Sequence, residues 1–354
     1  MAAESFRCAV TGDEAAHANA WDSAKAMLSL QEVTGVPGLI ARTIWFPGEP
    51  EAPLSIGEWH GLPEGRKWRG GASSDELVGH FFGLSIFYDL GARGEEKAEV
   101  AAAIKAIMDH LIRNNYCLVD VDGQPTRWGV FTPAVINNDS KWEEERALSS
   151  LELLSFLKTT YHVTGEQAYQ EKYLELVRQH HYALNTIDTL SPPYNPGSYW
   201  DIELALLSSY PLLTYETDPG LRAIYQEALS QVWRSDRKSR SPFLNIFASV
   251  LLEEPLDLEV ALLELREIPV DLVRWTIENA WRKDIVVSRV LSPSRELQSE
   301  EPVRAAERRI TQWDAEPYTL DGGEQAKAEN SGTYWLLPYW CARYHGLMVE
   351  RGGN

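Results

Sequence analysis

The sequence is poor in cysteine. Cys8, Cys117 and Cys341 are the three present in 354 residues, odd in number and far apart. This excludes a disulfide framework and a thiolate-held metal site, and leaves reduced thiols as the expectation. No stretch of about 18 apolar residues occurs, so no membrane-spanning helix and no membrane partner are expected. The start, MAAESFRCAVTGDEAAHANAW, lacks the basic flank and apolar run of a secretory signal. The chain reads as soluble, cytoplasmic as it stands and secreted only if a leader has been removed. Positive charge is scarce as well: 33 Lys and Arg against 52 Asp and Glu give a formal net charge of -19. That balance repels the phosphates of nucleic acid, which excludes a nucleic-acid partner.

Several catalytic signatures are missing too. HExxH, GxSxG, GxGxxG and phosphate-loop patterns do not occur, which counts against zinc proteases, serine esterases and nucleotide-dependent enzymes. VDVDG, ending at Gly123, lacks the later ligands of a calcium loop and reads as a hairpin turn. His180 and His181 are adjacent on an amphipathic helix and point in different directions, so they make no metal pair. No metal and no cofactor are expected.

What is present is an ordinary globular composition, 44% hydrophobic and 24% charged, with apolar surface enough for a large core. Aromatic usage leans to rings with a polar handle: 13 Trp and 15 Tyr against 9 Phe. Such rings suit both large cores and the walls of cavities that take sugar-like ligands.

Four segments repeat one pattern, an apolar-periodic helix, a short turn containing Gly, and a second helix. The turns are VTGVPG at 33–38, YDLGARGEE around Tyr88, YHVTGEQAY around Tyr161 and YETDPGLRAIY around Tyr215. Helices are expected near 15–32, 75–90, 95–114, 142–162, 166–184, 200–215 and 219–234. Others are expected at 242–253, 257–283 and 333–347. Unequal spacing of the turn tyrosines excludes a fixed-period solenoid. DELVGHFFGLSIFYDL and DIELALLSSYPLLTY are apolar nearly all round, whereas EEKAEVAAAIKAIMDHLIR and EQAYQEKYLELVRQHHYAL are amphipathic, which implies inner and outer helices. The fold expected is all-α: one domain spanning 1–354, its helical hairpins closing into an (α/α)6 toroid around an acidic, aromatic-lined cavity. A β-hairpin at Tyr116–Val130 is a small excursion from it, and the polar stretch 285–332 reads as a long loop.

Candidate chemistry lies where the inner helices begin. GGASSDELVGH places Asp75 and Glu76 in a first turn, with His80 one turn later on the face of Glu76. The stretch TRWGVFTPAVINNDSKWEEERALSS supplies Asp139 and Glu145 as candidate acids, with Arg127, Trp128, Asn138, Trp142 and Arg146 as candidate substrate contacts. At the next start Tyr199 and Trp200 precede Asp201 and Glu203. Near the C-terminus Asp321, Tyr334, Trp335, Tyr339, Trp340 and His345 add rings that could stack on a sugar. Helix capping and dipole stabilisation also account for first-turn acids. Paired carboxylates in a partly desolvated pocket, however, acquire separated proton affinities, which glycoside hydrolysis requires.

The turn style VTGEQAY, the acids at inner-helix starts and the Tyr and Trp walls resemble the six-hairpin glycosidases, the (α/α)6 toroid proteins. SSDELVGHFFGL, DGQPTRWGVF, WEEERALSSLELLSFLK and LPYWCARYHG are similar to a bacterial subgroup of that shape whose activity is not established. The resemblance covers most of the chain and implies glycoside hydrolases, unsaturated-uronide hydrolases or polysaccharide lyases. Fold likeness alone does not select among them. The leading expectation is a carbohydrate-active enzyme that hydrolyses a glycosidic bond in a small-molecule or oligosaccharide substrate. Its acid pair would come from Asp75, Glu76, Asp139, Glu145 and Glu203. The alternatives are a lyase acting on uronates with His80 or Tyr334 as base, a terpenoid-type cyclase, and a non-catalytic carbohydrate-binding module.

Overall fold

Ser73 ends an extended segment and starts a helix. Its backbone N–H and its hydroxyl both meet the Glu76 carboxylate at 2.6 Å, closing a capping box. Ser74–Leu90 then runs as a helix buried on nearly every face, because its sequence offers no polar stripe to present to water. In this computed structural model, which describes residues 1–49, 57–188, 199–289, 295–311, 313 and 315–348, thirteen helices and three small sheets occur among the described residues. None of those helices is long and apolar enough to cross a membrane.

The chain divides into two compact units. The first is Met1–Thr189 with Leu207–Tyr225, and the second is Leu190–Leu206 with Gln226–Asn354. Helices of the first unit are α1 (Ala2–Thr11), α2 (Glu14–Glu32), α3 (Ser74–Leu90), α4 (Glu95–Arg113), α5 (Pro133–Ile136), α6 (Arg146–Thr164), α7 (Gln167–His180) and α8 (Tyr182–Asp188). The later part of α9 (Tyr199–Tyr215) and the start of α10 (Pro219–Asp236) join them. The expected hairpins α3 with α4 and α6 with α7 are present. In α6 every residue from Ala147 to Thr160 is buried, and its aromatic contacts explain how. Phe156 stacks on Phe81 of α3 at 4.3 Å and meets Phe131 edge-on at 5.8 Å. Tyr210 of α9 takes Phe6 and Phe82 edge-on, each at 5.9 Å.

Burial of α6 brings Lys158 inside, where it is answered. Its ammonium pairs with Glu216 at 3.3 Å and bonds Gln170 at 3.2 Å. Glu216 also accepts the Tyr173 hydroxyl and the backbone N–H groups of Thr217 and Asp218. Tyr173 meets the Tyr225 hydroxyl at 2.7 Å. At the C-terminal ends of α3, α6 and α9, Asp89 accepts from Tyr215 at 2.7 Å and bonds His162 at 2.8 Å, while the His162 and Tyr215 rings stack at 3.9 Å. One carboxylate thus ties three hairpin turns together.

Two small sheets complete this unit. β1 (Thr43–Trp45), β2 (Trp59–Gly61) and β3 (Lys67–Arg69) form an antiparallel sheet of order β1-β3-β2, which the sequence pattern does not announce. β4 (Cys117–Val119) and β5 (Pro125–Val130) are the expected hairpin. Its Asp120 turns inward to accept the Gly71 N–H at 2.6 Å. Gly38 has φ +81°, and a Cβ there would stand 1.9 Å from the Ala106 carbonyl of α4, so only glycine lets that segment lie on the helix.

In the second unit α11 (Pro242–Leu251) packs on α12 (Leu258–Glu267) and on α13 (Thr333–Tyr344). The helix expected over 257–283 stops at Glu267. Pro269 has no N–H to continue it, and the chain beyond forms β6 (Ile277–Glu278) against β7 (Asp321–Gly322). The stretch read as a long loop carries isolated bridges, Val287 to Ser299 and Gln298 to Thr319. The helix expected over 166–184 is interrupted at His181, φ +59°, which separates α7 from α8. The one expected from 142 begins at Arg146, after a 3-10 turn over Ser140–Trp142.

Candidate functional site

Within the first unit the sequence-derived candidates occupy the entrances of α3 and α6. Asp75 is exposed in the first turn of α3, and Glu76, besides its cap, pairs with Arg42 at 3.1 Å. His80 is buried, with Nδ1 2.7 Å from the Glu76 carbonyl and Nε2 3.3 Å from the Met27 carbonyl. Burial pushes its basicity down, and the two carbonyls oppose that shift. The imidazole therefore meets backbone and has no open space before it. Asn138 bonds the carbonyls of Pro133 and Ala134, and Asp139 caps the 3-10 turn through the Lys141 N–H at 3.0 Å. Arg146 donates to the Ile136 carbonyl at 3.0 Å. Glu145 stands at the α6 N-cap with no side-chain cap bond. Trp128 and Trp142 meet edge-on at 6.2 Å, and the Arg127 guanidinium lies 4.7 Å above Trp128. The structure brings together these two rings and Arg127, an arrangement with stacking surface.

In the second unit Asp201 and Glu203 are partly buried in the first turns of α9, beside a largely exposed Trp200. On α13, Trp335 stacks on Tyr339 at 4.4 Å and donates its indole N–H to the Leu265 carbonyl at 2.9 Å. Tyr334 meets Trp313 edge-on at 4.9 Å and accepts the Trp313 indole N–H at its carbonyl at 3.0 Å.

Trp313 leads to the strongest concentration of perturbed groups. It forms a wall of a narrow crevice of about 20 Å3, room for a single water molecule, together with Tyr199, Ser239, Ser241, Arg308, Thr311 and Pro317. The wall is rigid because Trp313 stacks flat on Phe243 of α11 at 4.2 Å. Two carboxyls that are not part of that lining, Asp236 and Glu316, interact electrostatically in the same unit. Asp236 ends α10, and burial pushes its carboxyl up to about 7, a shift that the Ser239 hydroxyl opposes and the charge of Glu316 increases. Burial also raises Glu316, but the Tyr318 backbone N–H, the Tyr199 hydroxyl, Gln298 and Arg309 all favour its ionised form. Tyr199 donates to Glu316 Oε1 at 3.4 Å. Burial first, and then the charge of Asp236, holds the Tyr199 phenol well above its ordinary value, and burial lifts Tyr318 to about 12. Both stay protonated donors at neutral pH.

Arg308 supplies the cation. Its Nε donates to the Val303 carbonyl at 2.6 Å and its Nη2 to Glu264 at 3.2 Å, while Glu264 also pairs with Arg240 at 3.0 Å. A carboxyl that keeps its proton close to neutrality, as Asp236 does, can protonate a leaving oxygen.

Asp236 and Glu316 were not among the acids that the sequence singled out. Asp236 sits in WRSDRKSR, which reads as a solvated helix end, and Glu316 lies in the stretch taken as a loop. One signal was available: WDAEPY repeats the aromatic-and-acid grouping seen at the helix starts. Among the described residues no group of three His, Cys, Asp or Glu is placed to hold a metal ion. No family model, no curated protein and no solved structure matches the chain.

Proposed function

We propose that the second unit hydrolyses a glycosidic bond, with Asp236 as general acid and Glu316 as its partner carboxyl. The observation that carries this reading is a pair of interacting buried carboxyls, both raised by burial, of which Asp236 is lifted to about 7. Asp236 keeps its proton close to neutrality and delivers it to the leaving oxygen. Glu316 activates water or attacks the sugar carbon, and the Tyr199 hydroxyl fixes its orientation.

An elimination on a uronate is the less favoured chemistry here. It needs a base, and the surroundings of Tyr199 and Tyr318 keep both phenols protonated. We read the hairpins as repeats of an (α/α)6 ring. The support is the alternation of all-round apolar α3, α6 and α9 with amphipathic α4, α7 and α10.

The test is a product-resolved mass-spectrometric assay of the purified chain on pooled neutral, uronate-containing and sulfated oligosaccharides. Cleavage with a gain of about 18 mass units is expected. Asp236→Asn should lower the rate by about 10²-fold or more. Full activity in both Asp236→Asn and Glu316→Gln would overturn the assignment.

A further inference from the structure

We infer that the crevice beside Trp313 holds one ordered water, fixed by Thr311, and that this water joins Asp236 to Glu316 through the hydroxyls of Ser239 and Tyr199. The inference concerns the acid pair of the hydrolase reading but does not require that the chain hydrolyse anything.

Size selects the occupant. About 10–15 Å3 of such space holds one water, and the crevice offers about 20 Å3. Polar groups converge on it. Thr311 lines the crevice, is 8% exposed, and its Oγ1 has no hydrogen-bond partner among the described residues. Buried hydroxyls are ordinarily satisfied, so this one points to a partner that is not protein. Ser241 lines the same space, and its Oγ accepts the Leu244 N–H at 3.3 Å, which leaves the hydroxyl proton to give. A buried water makes about three hydrogen bonds. Thr311 and Ser241 supply donors for it.

Acceptors lie in the same lining. Ser239 is 2% exposed; its hydroxyl bonds Asp236, and its Oγ accepts the Ser241 N–H at 3.3 Å. Tyr199 donates to Glu316 Oε1 at 3.4 Å. Each of these two hydroxyls has given its proton to a carboxyl and keeps a lone pair for one proton of the water. The path runs from Asp236 to Ser239, the water, Tyr199 and Glu316. Donation by the water polarises both hydroxyls and strengthens their bonds to the two acids. It therefore favours the ionised form of each. Tyr199 and Tyr318 face both acids and Arg309 faces Glu316, and a change at Thr311 leaves all three in place.

A high-resolution crystal structure of the full native chain should show one peak of water density within hydrogen-bond reach of Thr311 Oγ1, Ser239 Oγ and Tyr199 Oη. A crevice without density, or a water that meets Thr311 and neither of the other two, would overturn the inference. Thr311→Val keeps the shape and removes the hydroxyl. Followed by isotope-edited carboxyl NMR, with Asp236→Asn and Glu316→Gln assigning the two signals, it should raise the midpoints of both acids by about 0.3 pH unit or more. Unchanged midpoints would show that no water links them. Urea unfolding of the same variant gives a sign: deleting an unanswered buried hydroxyl stabilises a fold, whereas deleting one that holds a water weakens it. A lower urea midpoint than that of the native chain is expected, and a higher one counts against the water. None of these readings involves turnover. A chain that cleaves no saccharide yet shows the water and the shifted midpoints keeps the path and loses the hydrolase.

Discussion

Asp236 ties stability to pH in a direction opposite to that of a salt-bridged acid. Its carboxyl keeps a proton up to about 7 in the folded chain and releases it near about 3.9 when unfolded. The folded state therefore holds the extra proton between those values. The stability associated with the neutral form is complete below about 4 and is lost as pH rises through about 7. Asp236→Asn cannot ionise, so its urea midpoint should gain on the native chain between pH 4 and pH 8. Up to about 1.4 kcal/mol accrues for each pH unit crossed. A difference that does not change with pH would show that Asp236 ionises as freely in the folded chain as in the unfolded one. Lys158 poses the reverse case, a buried cation already paired. Lys158→Met leaves Glu216 charged and without its cation while keeping two backbone donors and the Tyr173 hydroxyl. A loss of about 3 kcal/mol or more is expected in urea titration. A loss under about 1 kcal/mol would mean that water or a proton replaces the ammonium.

At the scale of elements, what could be read from the sequence follows from whether the local pattern and the burial agree. α3 and α9 were legible because long apolar runs end in recognisable turns, and α4 because its polar stripe faces outward. The end of α12 was not legible, since the apolar period continues past Pro269 while the backbone cannot. β1, β2 and β3 escaped notice because three-residue strands are too short to show alternation. Gly38 illustrates a tertiary demand that no local pattern states. Gly38→Ala places a methyl group against the Ala106 carbonyl in a left-handed backbone. It should cost about 2 kcal/mol or more and lower the melting temperature by several degrees. Gly165→Ala, with the same sign of φ but open space around its Cβ, should cost less. Equal losses in the two would assign the effect to backbone conformation alone.

Across the whole molecule, Asp236 and Glu316 show why an acid pair of this kind is not legible in the sequence. An acidic, aromatic-walled cavity was the expectation from Trp and Tyr usage and from the acid excess. The interacting acids come from positions 236 and 316, which are distant in sequence and become a pair only in the folded chain. Each acid by itself resembles many surface acids. The net charge of -19 acts at this scale too. Repulsion among surface carboxylates opposes compaction, so melting in 0.3 M NaCl should occur a few degrees above melting in 0.01 M NaCl. A lower melting temperature at the higher salt would mean that ion pairs such as Arg93 with Glu14 and Lys105 with Glu166 outweigh the excess charge.

The three cysteines, each buried and unpaired, amount to a set of internal clocks. Cys8 on α1 and Cys117 on β4 belong to the first unit, and Cys341 on α13 to the second. Cys341 is fully enclosed and Cys8 and Cys117 nearly so, so the rate at which each thiol is trapped by iodoacetamide, resolved by peptide mapping, reports the opening of its own neighbourhood. The native chain, carrying no added label, thereby reports whether its two units open together or one before the other.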